Sequence, residues 1–256
     1  MEEVSYKKMK TQYRHSYRDR HGIAQEKTVR GKTYRARYLE VCKMLIRIGA
    51  GRNDLIWDLG CGDGVFMSRH GAIFKNRIIG LDISLSSLHH IRQSGNVCLI
   101  QGDIENLPVK SQAIQRAIVI ETLEHLIDIG KGLKEIRRCL AKDGIAVITV
   151  PSLLNPRNIN FYGNGSYLKG FLRMLLAMPK GFKKCKWSDD QGKEYPHFEY
   201  AKWKVKKTVK TTGLAVLRMG KMPVIFNSEE GSLVERIVNK VTGNRLGECH
   251  ILMVAR

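Results

Sequence analysis

Between residues 55 and 150, five short apolar runs, at 55–59, 77–81, 97–101, 117–120 and 145–150, alternate with stretches of helical periodicity. The first four runs give way at once to a glycine or an acidic residue. Short unbroken apolar runs suit strands covered on both faces, and strand–helix alternation requires a parallel sheet joined by right-handed crossovers. The helical stretch before the fifth run places Leu133, Ile136, Arg137 and Leu140 on one face, and Lys142, Asp143 and Gly144 read as its stop. An α/β fold with helices on both faces of the sheet is the expectation.

The flanks read differently. Residues 5–37 are polar, basic and rich in tyrosine, which predicts a mobile arm over 1–37, and residues 34–48 repeat apolar side chains at helical spacing. Residues 151–200 hold Pro151, Pro156, Pro179 and Pro196 with one helical piece near 166–178, and read as an insertion or lid over the active face. A basic helix at 201–212, a strand at 214–219, a helix at 232–241 and a last strand at 249–254 complete the expected order. With 256 residues, one domain spanning 1–256 is predicted, its core at 38–150 and its C-terminal helices and strands at 201–256.

Composition narrows the classes. No stretch approaches the ~20 apolar residues of a membrane span, and the N-terminus has no signal-peptide apolar region, so a cytosolic protein is expected. The six cysteines form no C-x-x-C pair and no histidine stands at zinc spacing, so no metal site is predicted. The formal charge of +20 is uneven: residues 1–53 and residues 151–213 each carry a net +9, whereas 54–150 is neutral. Such a distribution suits a surface that meets an anionic partner.

The chemistry is written where the runs end. Asp58 closes the first run and Gly60, Cys61, Gly62, Asp63 and Gly64 follow it, in a turn tighter than the G-x-G-x-x-G of dinucleotide sites. An aspartate ahead of that turn suits a cationic ligand better than a diphosphate. Asp82, followed by Ile83, ends the second run, where a carboxylate can accept from ribose hydroxyls, or else serve the next helix as a cap together with Ser84. Asp103 and Ile104 follow the third run, placed to accept from an adenine amino group and to pack on its ring. Glu121 opens the loop after the fourth run. All four fall at the carboxyl edge of one sheet, the edge at which open parallel sheets bind ligands.

The segments D-L-G-C-G-D-G at 58–64, L-D-I-S at 81–84, G-D-I-E-N-L-P at 102–108, E-T-L-E-H-L at 121–126 and L-A-K-D-G-I-A-V-I-T-V-P-S at 140–152 together resemble the class I S-adenosylmethionine (SAM)-dependent methyltransferases, in particular those similar to ubiquinone- and menaquinone-pathway enzymes. The resemblance spans residues 38–150. It implies a Rossmann-like seven-stranded sheet ordered 3-2-1-4-5-7-6 with the last strand antiparallel, and SAM as cofactor. It also implies that Asp58, Gly60 and Gly62 contact the methionine part, Asp82 the ribose and Asp103 the adenine, with Cys61, Ile83 and Ile104 beside them as further cofactor-binding candidates. Glu121 then lies beside the sulfonium.

Methyl transfer is an in-line displacement, and an oxygen acceptor gains from a base near neutrality. His125 and His197 are the candidates, the alternative for each being a helix-end or backbone contact. The loop after the fourth run lacks an N/D-P-P-Y turn and a Pro-Cys pair, which lowers the weight of amine and pyrimidine-ring methylation. A small or lipid-like acceptor methylated at oxygen is the leading expectation. Leu168, Phe171, Leu172, Leu175 and Leu176 share a helical face ahead of Lys180, Lys183, Lys184 and Lys186, which fits peripheral contact of 166–186 with an anionic membrane, or a lid packed on its own sheet. RNA methylation through the two basic segments is the second expectation, and SAM binding without turnover a third.

Overall fold

The computed structural model describes residues 10–11, 13–14, 19–25, 27, 29–50, 54–69, 77–91, 96–155, 167–188, 191–222 and 249–256. Its elements run α1 (Arg20–Gln25), α2 (Val29–Arg47), β1 (Leu55–Leu59), α3 (Val65–Arg69), β2 (Arg77–Asp82), α4 (Leu85–His89), β3 (Val97–Gln101), β4 (Ile114–Ile120), a 3-10 turn (Leu123–His125), α5 (Ile129–Cys139), β5 (Leu140–Pro151), α6 (Tyr167–Ala177), β6 (Phe182–Ser188), β7 (Glu194–Tyr200), α7 (Lys202–Thr211), β8 (Ala215–Lys221) and β9 (Cys249–Ala255).

Seven strands form one sheet in the order β3-β2-β1-β4-β5-β9-β8. Strands β1 to β5 pair in parallel, and β9 runs antiparallel to both β5 and β8. Counted within this sheet alone, the order is 3-2-1-4-5-7-6 with the last strand reversed, the Rossmann-like methyltransferase arrangement. The four central strands are apolar because both faces are covered. Leu59, Leu81, Val119 and Ile148 pack on one side with Leu133 and Ile136 of α5 and Val205 and Val209 of α7. Ile56, Ile118 and Val147 pack on the other with Tyr38, Val41 and Leu45 of α2 and Phe66 of α3.

Several boundaries moved for identifiable reasons. Helix α5 starts at Ile129, because the Asp128 side chain accepts from the backbone N–H groups of Gly130 and Lys131 and so caps it. It stops at Cys139 rather than at the Lys142–Gly144 signal, and residues 140–144 already belong to β5, with Leu140 paired to Ile114. The expected arm over 1–37 is not one from Arg20 onward, since α1 and the first turns of α2 lie there and bury Ile23, Ala24 and Thr33. Within the expected insertion, β6 and β7 form a two-stranded antiparallel hairpin that the lysines and Pro196 hid from a strand reading. Proline is tolerated there because a two-stranded hairpin leaves most of each strand's outer side without a ladder partner, the bridge between Ser152 and Tyr200 at the end of β7 excepted. The expected helix at 232–241 lies outside the described residues. Among the described residues no helix is long and apolar enough to cross a membrane.

Candidate functional site

The carboxyl ends of β1, β2, β3 and β4 open on two adjoining cavities that share Arg20, Gly60, Gly62, Glu121 and His125. With their open mouths included, the two span about 790 and 810 Å³. Asp82, Ile83, Asp103 and Ile104 line the first cavity; Asp58, Cys61, Glu124 and His197 line the second.

The turn after β1 explains why two of its residues are glycine. Gly60 has φ +82° and Gly62 φ +56°, in the left-handed region. A Cβ on Gly60 would fall on Thr122 Cγ2 and Oγ1, and one on Gly62 would lie 2.9 Å from the Arg20 guanidinium. The turn is pinned from the neighbouring strand, because the Cys61 N–H donates to the Leu81 carbonyl at 3.0 Å and the Gly62 N–H to Asp82 Oδ2 at 2.8 Å. Asp82 Oδ1 accepts from the Ser84 N–H at 2.8 Å. Each carboxylate oxygen keeps a second acceptor position, so Asp82 can hold the turn and still receive ligand hydroxyls. The helix-capping role goes to Ser84, whose hydroxyl accepts from the Ser87 N–H.

Asp58 is buried at the floor of the second cavity, and burial, aided by Asp82, pushes its carboxyl up to about 8. A cation seated there would restore its charge. Glu121 stands at φ +50°, strained for a residue with a side chain. The strain is held by three contacts: its N–H donates to Thr149 Oγ1 at 3.0 Å, that hydroxyl donates to its Oε1 at 2.9 Å, and Arg37 pairs with its Oε2 at 3.2 Å. Burial raises the Glu121 carboxyl, while Arg37 and Thr149 act against that rise.

The N-terminal segment reaches into the site. Lys10 forms ion pairs with Asp103 and, at 2.7 Å, with Glu105, on the carboxylate expected to meet adenine. Tyr13 donates its hydroxyl to the Pro196 carbonyl at 3.0 Å and packs 4.8 Å from the Tyr195 ring. The Arg20 backbone N–H donates to Asp63 at 2.7 Å, while its side chain lines both cavities.

His125 and His197, expected singly, are brought together with ring centroids 5.2 Å apart. His125 follows β4 directly; His197 arrives on the hairpin. That hairpin is tied to the sheet where the Tyr200 carbonyl accepts from the Leu153 N–H at 3.0 Å and from His250 Nε2 at 2.9 Å. Glu124, almost fully buried, completes a group in which one oxygen and two ring nitrogens lie within 4.8 Å of one another. Lys10, Tyr13, Arg20, Arg37 and Glu124 were not found in the sequence. Glu124 stood inside a quoted motif, whereas the other four have no local spacing that marks them: α1 and α2 bring Arg20 and Arg37 to the sheet edge, and the residues ahead of α1 bring Lys10 and Tyr13.

Residues 57–148 match the family model described as a methyltransferase domain. An uncharacterized protein of Methanocaldococcus jannaschii is 26% identical over 55% of this chain and 56% of its own length. The malonyl-[acyl-carrier protein] O-methyltransferase of Yersinia pestis is 29% identical over 37% of this chain and 36% of its own. The chain thus spans about half of the first relative and about a third of the second. In fold it is similar to the geranyl diphosphate C-methyltransferase of Streptomyces coelicolor A3(2), a complex with Mg2+, geranyl diphosphate and S-adenosyl-L-homocysteine, at TM-score 0.54 and 15% identity over 85% of this chain and 80% of that one. The matched domain, the sheet order and the glycine turn agree: over residues 57–148 this chain carries a methyltransferase domain similar to those of SAM-dependent enzymes, whose cofactor is S-adenosylmethionine.

Proposed function

We propose that this protein transfers the SAM methyl group to an oxygen of a small or lipid-like acceptor held against His125 and His197. The observation that carries the reading is the pairing of those two imidazoles in the second cavity, beside Glu121 and next to the glycine turn. A hydroxyl is a weak nucleophile until its proton is drawn away, and an imidazole within reach supplies a base near neutral pH. The methyl carbon is already activated by the sulfonium, so the remaining tasks are alignment at about 3 Å and exclusion of water. Tyr34, Tyr38 and Phe66 line the same cavity and supply an apolar wall for a ring or chain.

The lipid-like alternative for the acceptor draws support from α6. Met174 and Ala177 pack inward on Leu153 and Ala201, while Leu172, Leu175 and Leu176 stay exposed. Leu168 and Phe171, expected on the same face, fall outside the side chains described. Exposed leucines followed by the exposed Lys180 and Lys184 suit contact with an anionic membrane surface. RNA remains the second reading, on the charge of the two basic segments.

The test is transfer from methyl-labelled SAM to a panel of phenols, quinols, aliphatic alcohols, amines and RNA. Label recovered on an oxygen, with His125→Asn and His197→Asn each lowering kcat by ~10²-fold or more while SAM still binds, supports the reading. Label found on nitrogen or on RNA alone sinks it.

A further inference from the structure

We infer that Glu124, His125 and His197 form a binding site for a divalent first-row transition-metal ion, such as Zn2+, on the acceptor side of the cofactor turn. Three observations converge. The donor atoms lie within 4.8 Å of one another, although His197 comes from a hairpin remote in sequence from the loop that carries Glu124 and His125. Glu124 is 1% exposed, lines the second cavity, and its Oε2 has no hydrogen-bond partner among the described residues. A buried carboxylate oxygen left without a donor is costly, and a cation is what removes the cost. The donor set is also selective: two imidazoles and one carboxylate suit zinc and its first-row neighbours, while magnesium and calcium prefer oxygen-rich sites.

Three protein donors leave coordination positions open to a ligand, as in catalytic rather than structural metal sites. At ~2.1 Å per bond, tetrahedral donors stand about 3.4 Å apart, so metal entry draws the three side chains inward. Glu124 oxygen and His125 sit 3.9 Å apart, already near that spacing. The hairpin that delivers His197 is fixed by Tyr13 through the Pro196 carbonyl and by His250 through the Tyr200 carbonyl, which limits the movement required.

The consequence for chemistry deepens the O-methylation reading and rests on it. An acceptor hydroxyl bound to the ion becomes acidic enough to lose its proton to solvent near neutral pH. Its oxygen then attacks the methyl carbon, the carbon–sulfur bond breaks with its electron pair on sulfur, and the products are a methyl ether and S-adenosylhomocysteine. His125 and His197 then lend their lone pairs to the ion instead of to the acceptor proton.

The experiment is titration of the purified full chain with Co2+, followed by ligand-field absorption in the visible, with Zn2+ added afterwards as competitor. One Co2+ bound per chain and displaced by Zn2+ is expected, with Glu124→Gln and His197→Asn each weakening it at least tenfold. Wild-type protein without the absorption band, or variants that bind Co2+ like wild type, overturn the site. SAM titration of each variant separates a lost ligand from a lost fold. If Glu124→Gln also loses SAM, His197→Asn, carried by the hairpin and not by the loop after β4, decides. Oxygen methylation unaffected by chelators removes the metal and keeps the base reading; Co2+ binding without any oxygen methylation removes the acceptor and keeps the site.

Discussion

Replacing Gly60 with alanine should cripple cofactor binding, and the size of the effect follows from the turn. Alanine at φ +82° sits in the left-handed region, which costs a residue with a side chain about 1–2 kcal/mol. The new Cβ also collides with Thr122 Cγ2 and Oγ1 and stands 2.8 Å from Thr122 Cβ. Overpacking of that kind costs about 1–3 kcal/mol more. The total, about 2–5 kcal/mol, divides between stability and site geometry because Thr122 directly follows Glu121. Backing Thr122 away by an ångström drags Glu121 from its contacts with Thr149 and Arg37. Calorimetric SAM titration should show affinity reduced at least tenfold, and urea denaturation a lower midpoint at unchanged slope. Thr122→Ala removes the two nearest contacts and leaves only the Cβ contact, so Gly60→Ala/Thr122→Ala should recover ~1–2 kcal/mol, a coupling that a double-mutant cycle measures directly. Gly60→Ala that binds SAM within twofold of wild type, or a double variant no better than the single one, would refute the steric account.

Three further outcomes are expected. Asp82→Ala removes the acceptor for the N–H groups of Gly62 and Ser84, so it should lose both SAM binding and ~2–4 kcal/mol of stability, whereas Asp82→Asn, which keeps one acceptor oxygen, should fold nearly as well as wild type and bind SAM weakly; normal SAM affinity in either variant contradicts the assignment. Because Lys10 occupies Asp103, the carboxylate expected to meet adenine, Lys10→Ala should tighten SAM binding several-fold in calorimetry, and an unchanged or weaker affinity would show that Lys10 does not compete with the cofactor. His250 is buried, donates Nε2–H to the Tyr200 carbonyl, and is pushed down to about 4 by burial first and by Lys221 and Lys202 besides. Its folded value lies below the ordinary 6.5, so the unfolded chain binds the proton more readily and stability falls as pH drops from about 6.5 toward 4, by up to about 3 kcal/mol at the bottom. His250→Gln, which cannot titrate, should flatten that part of the urea-midpoint profile; parallel profiles for the two proteins would refute it.

The sheet, and the gathering of its strand-end residues at one edge, were legible in the sequence because their signals are local. A doubly covered strand must be apolar along its length, a left-handed turn against a neighbouring side chain must be glycine, and a strand-end acid sits where a parallel sheet binds ligands. Gly60, Asp82 and Asp103 could therefore be read from their own neighbourhoods, and the two cavities bring them together. What one sequence could not show is anything that depends on distant segments meeting. Lys10 reaches Asp103, Arg37 reaches Glu121, and His197 reaches His125, through helix packing on the sheet and a hairpin anchored on β5 and β9. The hairpin itself was hidden because its lysines and a proline give no apolar alternation. The metal-donor group was invisible for the same reason, since spacing rules recognise ligands clustered along the chain, and here only folding sets one oxygen and two nitrogens around a single point. Local backbone chemistry is fixed by adjacent residues; convergence of side chains across the chain is fixed by how the layers pack, and that is what brought Glu124, His125 and His197 together.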